Sequence, residues 1–139
     1  MALNLVYRNT DSQNRVEDLG KTLAPGKPAV SKAGLPVVTV TGSGDYTVSE
    51  TGFGGVTISG IPAGGVGLRG QEVTLAFDGT WEFAVTGATA ATAQGTKVYV
   101  IVASNTLTTT AGSNVEYGYV DWSTDYDRTR GLTPVRIGA

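Results

Sequence analysis

Short runs of alternating apolar and polar residues fill the chain from residue 28 onward, and each run is closed by a glycine-rich or polar turn. Alternation with a period of two is typical of half-buried β-strands, whereas apolar residues do not accumulate at helical spacing over any useful window. The segments of strand length are residues 29–32, 37–41, 46–50, 56–59, 106–110, 115–122 and 134–137. The pattern predicts an all-β fold, a single small antiparallel β-sandwich or barrel-like domain.

The strongest strand signal lies at residues 73–85, where apolar and polar residues alternate on both sides of an Asp-Gly dipeptide. Such a dipeptide between two alternating runs predicts a β-hairpin. Trp81 and Phe83 fall on the inward parity, which favours core packing over a role as exposed subunit anchors. Glu72 and Glu82 fall on the outward parity, so we expect both carboxylates to face solvent.

Residues 97–102 (KVYVIV) are apolar on both parities, which indicates a strand that is buried on both faces or lies in an interface. Tyr99 and Ile101 share one parity of this run. Tyr117 and Tyr119 share one face of a later predicted strand, where they line either a core edge or an oligomer contact. These four residues are the candidates for an oligomer interface.

The first 22 residues differ from the rest of the chain because they are mostly polar and almost free of glycine. Within them, Leu3, Leu5 and Tyr7 alternate with polar or smaller neighbours in a short strand-like pattern. We expect residues 1–22 to form an extended N-terminal arm, ordered by whatever it contacts, ahead of a β domain at residues 23–139. A frayed terminus, which most domains have, is the alternative.

Cysteine and histidine are both absent from the 139 residues. Their absence removes disulfides, thiolate chemistry, the usual general base and the commonest metal ligand. We therefore expect a protein that is not an enzyme, with no catalytic, cofactor-binding or metal-binding residues and no cofactor. The remaining enzymatic alternatives are a Ser–Lys pair, for example with Lys97, and a glycosidase with two acidic groups.

The formal net charge is -2 and the sequence pI is about 5.0, and no basic run occurs along the chain. This balance argues against nucleic acid and anionic membranes as partners. No segment approaches the roughly 20 apolar residues of a membrane span, and the N-terminus lacks the basic and apolar regions of a secretory signal. We expect a protein that is made in a cytoplasm and stays there or is packaged there into a larger particle.

The segment 121–127 (DWSTDYD) interleaves three aspartates with two aromatic residues. Closely spaced carboxylates are compatible with a weak calcium site, and Trp122 and Tyr126 are compatible with a sugar-binding lip. However, the segment lacks the bend glycine and the closing glutamate of calcium loops. An exposed acidic loop that pairs with Arg128 and Arg130 is the favoured interpretation.

Three stretches, residues 54–85, 89–100 (TAATAQGTKVYV) and 106–120 (TLTTTAGSNVEYGYV), contain a series of short strand motifs. Through these motifs most of the chain, from about residue 20 to the end, resembles the small bacteriophage head decoration proteins. These capsid-stabilising or cement proteins are a family long catalogued as a domain of unknown function. The opening hairpin of that family is similar to residues 23–40 (LAPGKPAVSKAGLPVVTV). Further matching positions are 55–57 (GVT), 72–75 (EVTL), 79 (G), 82–83 (EF), 95 (G), 97–100 (KVYV), 107–110 (LTTT) and 118–120 (GYV).

The resemblance implies a structural protein on the outer surface of the virion capsid, made in the host cytoplasm. It implies binding to the major capsid protein of the expanded head, as a homotrimer that stabilises contacts between capsomers. An arm containing Leu3, Leu5, Val6, Tyr7 and Arg8 would then bind the capsid by adding a strand to a sheet edge of a capsid subunit.

The second hypothesis is a different β module of a virion, from a tail, fibre or adhesin. In that case the loop between Trp122 and Tyr126 would bind carbohydrate. Fold alone does not decide between these hypotheses, because small β scaffolds carry many functions.

Overall fold

The computed structural model describes residues 5–7, 15–43, 49–51, 57–59 and 70–138. The strands within these ranges are β1 (Leu5–Tyr7), β2 (Arg15–Asp18), β3 (Pro28–Val30), β4 (Pro36–Thr39), β5 (Ser49–Thr51), β6 (Thr57–Ser59), β7 (Glu72–Ala76), β8 (Gly79–Phe83), β9 (Val85–Thr86), β10 (Lys97–Ile101), β11 (Thr106–Thr108), β12 (Val115–Val120) and β13 (Thr133–Ile137). The described part of the chain has one short 3-10 helix, Arg128–Arg130. No helix there is long and apolar enough to cross a membrane.

A seven-stranded sheet and a four-stranded sheet curl into a half-barrel. The large sheet has the strand order β1-β8-β13-β12-β10-β11-β9, and the small sheet has the order β2-β7-β4-β3. Strands β5 and β6 form a separate two-stranded ribbon. The described pairs are antiparallel except for β9 and β11, which run parallel. The predicted all-β, sandwich-like or barrel-like fold is confirmed.

The main core lies between the two sheets. Val98, Val100 and Val135 of the large sheet are fully buried and pack in one cluster with Val38 and Ala76 of the small sheet. Adjacent residues of a strand point to opposite faces of its sheet. Residues next to Val38 and Ala76 therefore face away from this core.

A second apolar cluster covers that opposite face of the small sheet. Val37, Val73 and Leu75 are each 0% exposed and pack with Leu23 and Ala29. The small sheet is thus buried on both faces, and the polar residues in the middle of this sheet are Thr39 of β4 and Thr74 of β7, while the charged Glu72 stands at the start of β7. In the large sheet, by contrast, one face of β10 and β12 is only partly covered.

Strands β7 and β8 follow each other along the chain but do not pair, so the hairpin predicted at residues 73–85 is wrong. β7 lies between β2 and β4, and β8 lies between β1 and β13. The chain changes sheet at Phe77 and Asp78, where the Trp81 indole donates a hydrogen bond to the Asp78 carbonyl at 2.8 Å. Gly79 follows with φ 103°, a conformation that side chains with a Cβ rarely adopt. The Asp-Gly bend is therefore a corner between two sheets.

The alternation in β7 and β8 correctly predicted which residues point inward, although it was wrongly taken to mean that the two strands pair with each other. Trp81 and Phe83 are 3% and 6% exposed and belong to the main core, as predicted. Period-two alternation specifies which residues point inward, and it contains no information about which strand lies alongside.

The first strands of the chain belong to the two sheets. β2 pairs with β7 along all four of its residues, and β1 pairs with β8 at one side of the large sheet. The boundary predicted at residue 22, between an arm and a β domain, therefore falls after a strand that is part of the small sheet.

Tyr117 and Tyr119 do not share a face, in contrast to the prediction. The pairing of β12 with β10 shifts register between Gly118 and Glu116, and Tyr117 is the additional residue. A bulge of this kind resets the alternation along a strand. Tyr117 consequently points into the core, where it is 2% exposed, while Tyr119 stays half-buried on the other face.

The same bulge brings β12 so close to β13 that only glycine fits at position 118. A Cβ placed on Gly118 would overlap with the backbone carbonyl oxygen of Arg136. We expect Gly118→Ala to lower the free energy of unfolding by about 3 kcal/mol, because backbone cannot move aside as a flexible side chain can. Denaturant unfolding measures this loss.

Gly34→Ala is the matched control, because a Cβ at this position meets no atom within 4 Å although φ is +82°. It should cost only about 1 kcal/mol of backbone strain. Equal losses for the two variants would contradict the close approach at Gly118.

Candidate binding surfaces

The N-terminal strand lies at the edge of the large sheet. β1 consists of Leu5, Val6 and Tyr7, three of the five residues predicted to bind a capsid. One side of this strand pairs with β8, so its other side is the outer edge of the sheet as far as the structure describes it. Leu3 and Arg8, the other two predicted residues, lie outside the described ranges. The backbone of an edge strand is a template for an added strand.

Three of the four predicted oligomer residues lie together on one face of the large sheet. Tyr99 and Ile101 alternate with two fully buried valines of β10, and both are half-buried on the side away from the core. Lys97 is the Cα partner of Tyr119, which places the second tyrosine on the same face. We call the set of Lys97, Tyr99, Ile101, Glu116 and Tyr119 the tyrosine face.

Charge contributes little to the tyrosine face. The Lys97 Nζ and Glu116 Oε1 atoms are 3.5 Å apart, and both side chains are 63% exposed. An ion pair that exposed is worth about 0–1 kcal/mol. Apolar and aromatic atoms, chiefly those of Tyr99, Ile101 and Tyr119, are therefore the main resource of this face for any contact.

Tyr117, the fourth predicted oligomer residue, is not available to a partner. Its side chain packs edge-on against Phe83 with ring centroids 6.1 Å apart, and its hydroxyl donates to the carbonyl oxygen of Val37 at 2.6 Å. Burial raises the pKa of this hydroxyl well above its ordinary value. The tyrosine is a core residue that ties the large sheet to the small one.

A groove of about 670 Å³ adjoins one end of the tyrosine face. Leu35, Lys97, Tyr119 and Arg136 are among its lining residues. Leu35 is 50% exposed at the turn between β3 and β4, so an apolar side chain stands at the rim. The sequence analysis did not identify Leu35 as part of a surface. Its place at the groove depends on how the β3–β4 hairpin pairs with β7, and that pairing is known only from the fold.

The aromatic residues of the 121–127 loop pack inward. Trp122 is 8% exposed, and its indole nitrogen donates to the Thr92 carbonyl at 2.8 Å. The Arg128 guanidinium lies 4.3 Å from the centre of the Trp122 ring and covers one of its faces. Tyr126 packs against the same ring at 5.6 Å. A sugar-binding platform needs an open aromatic face, so this arrangement counts against the carbohydrate hypothesis for Trp122.

Glu82 holds the end of this loop onto β8. Its carboxylate accepts two hydrogen bonds from Arg130, each 3.0 Å, and a third from the Tyr126 hydroxyl at 2.7 Å. The prediction that Glu82 faces solvent is wrong, because its side chain is 12% exposed. Burial, followed by the hydrogen bond and charge of Glu82, raises the pKa of Tyr126 to about 12. We call Glu82, Tyr126 and Arg130 the loop latch.

The aspartates of the loop bind neighbouring side chains and do not converge on one point. Asp121 accepts from Gln94 at 2.8 Å and lies 3.7 Å from Arg136. Asp127 caps the 3-10 helix by accepting from Thr129, whose hydrogen bonds lower the pKa of that carboxyl. Among the described residues no three acidic side chains are grouped to hold a metal ion.

Comparisons with protein-family models, with curated protein sequences and with solved structures find no significant match to this chain. The fold therefore defines the class of protein, an all-β half-barrel of two sheets. Its surface offers an edge strand, a partly apolar sheet face and an adjoining groove, which are features of binding surfaces.

The loop latch predicts a measurable contribution to stability. We expect Glu82→Gln to lower the free energy of unfolding by about 2 kcal/mol, because the bidentate pair with Arg130 loses its charge and one acceptor. Glu116→Gln removes an exposed carboxylate with a single ion pair, so it should cost no more than about 0.5 kcal/mol. A loss from Glu82→Gln no larger than that of the control would contradict the latch.

The raised pKa of Tyr126 predicts a loss of stability in alkali. The folded protein holds this proton more tightly than the unfolded chain, in which the ordinary value is 10.0. The stabilisation is complete below about pH 10 and disappears as the pH rises to about 12. Tyr126→Phe should reduce the slope of unfolding free energy against pH in this range without abolishing it, because the buried Tyr117 also has a raised pKa. An unchanged slope in Tyr126→Phe would refute the assignment.

Proposed function

We propose that this protein is a bacteriophage capsid decoration protein, which binds the outer surface of the expanded head and stabilises contacts between capsomers. The observation that carries the proposal is the placement of two binding features on one sheet. The large sheet has the N-terminal strand at its edge and the tyrosine face on its outer side. The resemblance of residues 20–139 to decoration proteins supplies the kind of partner.

Strand addition is the proposed mode of contact with the major capsid protein. The free side of β1 provides backbone donors and acceptors that a strand of a capsid subunit can pair with. The arm would not have to leave its own sheet, because β1 uses only one side to bind β8. Main-chain hydrogen bonds would supply affinity, and the side chains of Leu3, Leu5, Val6, Tyr7 and Arg8 would supply specificity.

The tyrosine face is the proposed contact between copies. Tyr99, Ile101 and Tyr119 form a half-buried strip that is more apolar than most monomer surface, and Leu35 extends it beside the groove. When a patch on one copy binds a different patch on the next copy, successive copies are related by a rotation. If this rotation is about one third of a full turn, three copies close into a ring, which is the trimer expected at a threefold site. Three simultaneous contacts then raise the affinity far above that of any single contact.

Binding to undecorated expanded heads tests the proposal. The full-length protein should co-sediment saturably, at a fixed ratio per head. A variant that lacks residues 1–8 keeps β2, which the small sheet needs, and removes β1. Loss of about two main-chain hydrogen bonds, roughly 2 kcal/mol, should weaken binding of each copy about 30-fold.

Two controls sharpen the experiment. Unexpanded heads should bind little protein, and the truncated variant must show the same cooperative unfolding transition as the full chain. Absence of binding by the full-length protein would overturn the decoration function. Equal binding by the two forms would retain the function and refute the role of β1.

A further inference from the structure

The N-terminal segment runs antiparallel along both central strands of the sheet corner. β2 pairs with β7 from Arg15 opposite Leu75 to Asp18 opposite Glu72. β1 pairs with β8, with Leu5 opposite Trp81. Since β7 and β8 are consecutive in the chain, one N-terminal segment lies alongside one continuous stretch, residues 72–83. We call β1 and β2 together the N-terminal strap.

The second strand of the strap contributes edge pairing but no fully buried apolar side chain. Residues of β2 are exposed or half-buried, and none belongs to either core cluster. The other contacts of β2 are polar: the Arg15 guanidinium lies 5.7 Å over the Phe77 ring, and Glu17 Oε1 accepts from the Lys32 amide at 3.2 Å. The two core clusters of the described residues therefore do not include β2.

The position of Glu17 also makes the strap less stable in its own molecule. Its second carboxylate oxygen, Oε2, is buried and has no hydrogen-bond partner among the described residues. A buried acceptor without a partner costs about 1–3 kcal/mol. Elements with few buried contacts open at a lower free energy than the core, so the strap is the first strand pair expected to separate.

The segment after the strap provides a bend and an anchor. Gly20 has φ 71°, and its amide donates to Asp18 Oδ1 at 2.8 Å. Lys21 then anchors the chain to the turn between β10 and β11. Its ammonium donates one hydrogen bond to the Val102 carbonyl and one to Asn105 Oδ1. The strap can therefore move as a unit about Gly20 while the domain from Lys21 onward stays folded.

We propose that the strap is exchanged between copies of this chain, so that β1 and β2 of one copy pair with β8 and β7 of a neighbour. Each exchanged strap reforms the strand pairs and polar contacts that it made in its own molecule. Exchange therefore costs little beyond association, and the edges of β7 and β8 stay covered in the exchanged form. This inference rests on the pairing pattern alone and does not depend on the capsid function.

Disulfide trapping tests the exchange, since the chain has no cysteine of its own. Val16 and Thr74 are Cα partners across β2 and β7, and both are half-buried. Directly opposite residues of antiparallel strands are about 4.5–5.5 Å apart, a separation that a disulfide spans. A tagged chain with Val16→Cys is co-expressed with an untagged chain with Thr74→Cys and then oxidised.

A disulfide-linked pair of one tagged and one untagged chain is the expected product. The matched control is Val38→Cys in one chain and Ala76→Cys in the other, Cα partners on β4 and β7, which are not exchanged and lie away from the tyrosine face. This control pair should give no more mixed product than chance collisions. A Val16/Thr74 product at the level of the control would overturn the proposal.

The double variant Val16→Cys/Thr74→Cys gives an independent measurement by light scattering. Before oxidation it should form oligomers whose share rises with protein concentration, as the unmodified chain does. Oxidation at low concentration should lock the strap within its own chain. At the same protein concentration the locked form should then contain a smaller share of oligomers than the reduced form, because only contacts such as the tyrosine face remain to it. A monomer at every concentration in the unmodified chain, or an equal share of oligomers in the locked and reduced forms, would refute exchange.

Discussion

The corner at Phe77 and Asp78 determines how the two sheets meet. It joins two strands that are both central and both buried, so the chain cannot fold back into a hairpin without removing one of them from its sheet. Gly79 permits the change of direction with its positive φ, and the Trp81 indole binds the Asp78 carbonyl from within the core. Four strand pairs adjoin this corner: β2 and β4 flank β7, and β1 and β13 flank β8.

Local patterns predicted inward positions well and partners poorly. Trp81 and Phe83 were assigned to the core from their parity alone, because a half-buried strand requires that alternation. The same stretch was assigned to a hairpin, because an Asp-Gly bend looks identical whether it reverses a strand or connects two sheets. Tyr117 shows the second limit: the bulge that turns it inward lies where Gly118 approaches the backbone of Arg136, a residue 18 positions away in the chain. No window of sequence contains that information.

The same contrast between local patterns and distant contacts applies to the candidate binding surfaces. Tyr99 and Ile101 were identified because residues 97–102 are apolar on both parities, and Tyr119 was identified together with Tyr117 as one face of a predicted strand. Glu82 and Arg130, 48 residues apart in the chain, meet only because the C-terminal loop returns over β8. Composition suggested that Arg128 and Arg130 would pair with the loop's own aspartates. The structure instead uses Arg128 to cover Trp122 and Arg130 to bind Glu82, which stabilises the loop and leaves it poorly suited to recognise a sugar.

Edges are the feature that connects the fold to assembly. An open half-barrel has sheet edges that must be covered, and this chain covers two of them with its first strands, of which β2 adds no residue to either core cluster. A strand placed there is held by backbone pairing, and backbone pairing does not distinguish its own molecule from a neighbour. The N-terminal strap can therefore serve as a link between copies, while the outer side of β1 still has a row of donors and acceptors for a third chain. An assembly built in this way gains stability from connectivity, and it needs neither a large apolar interface nor a strongly charged one.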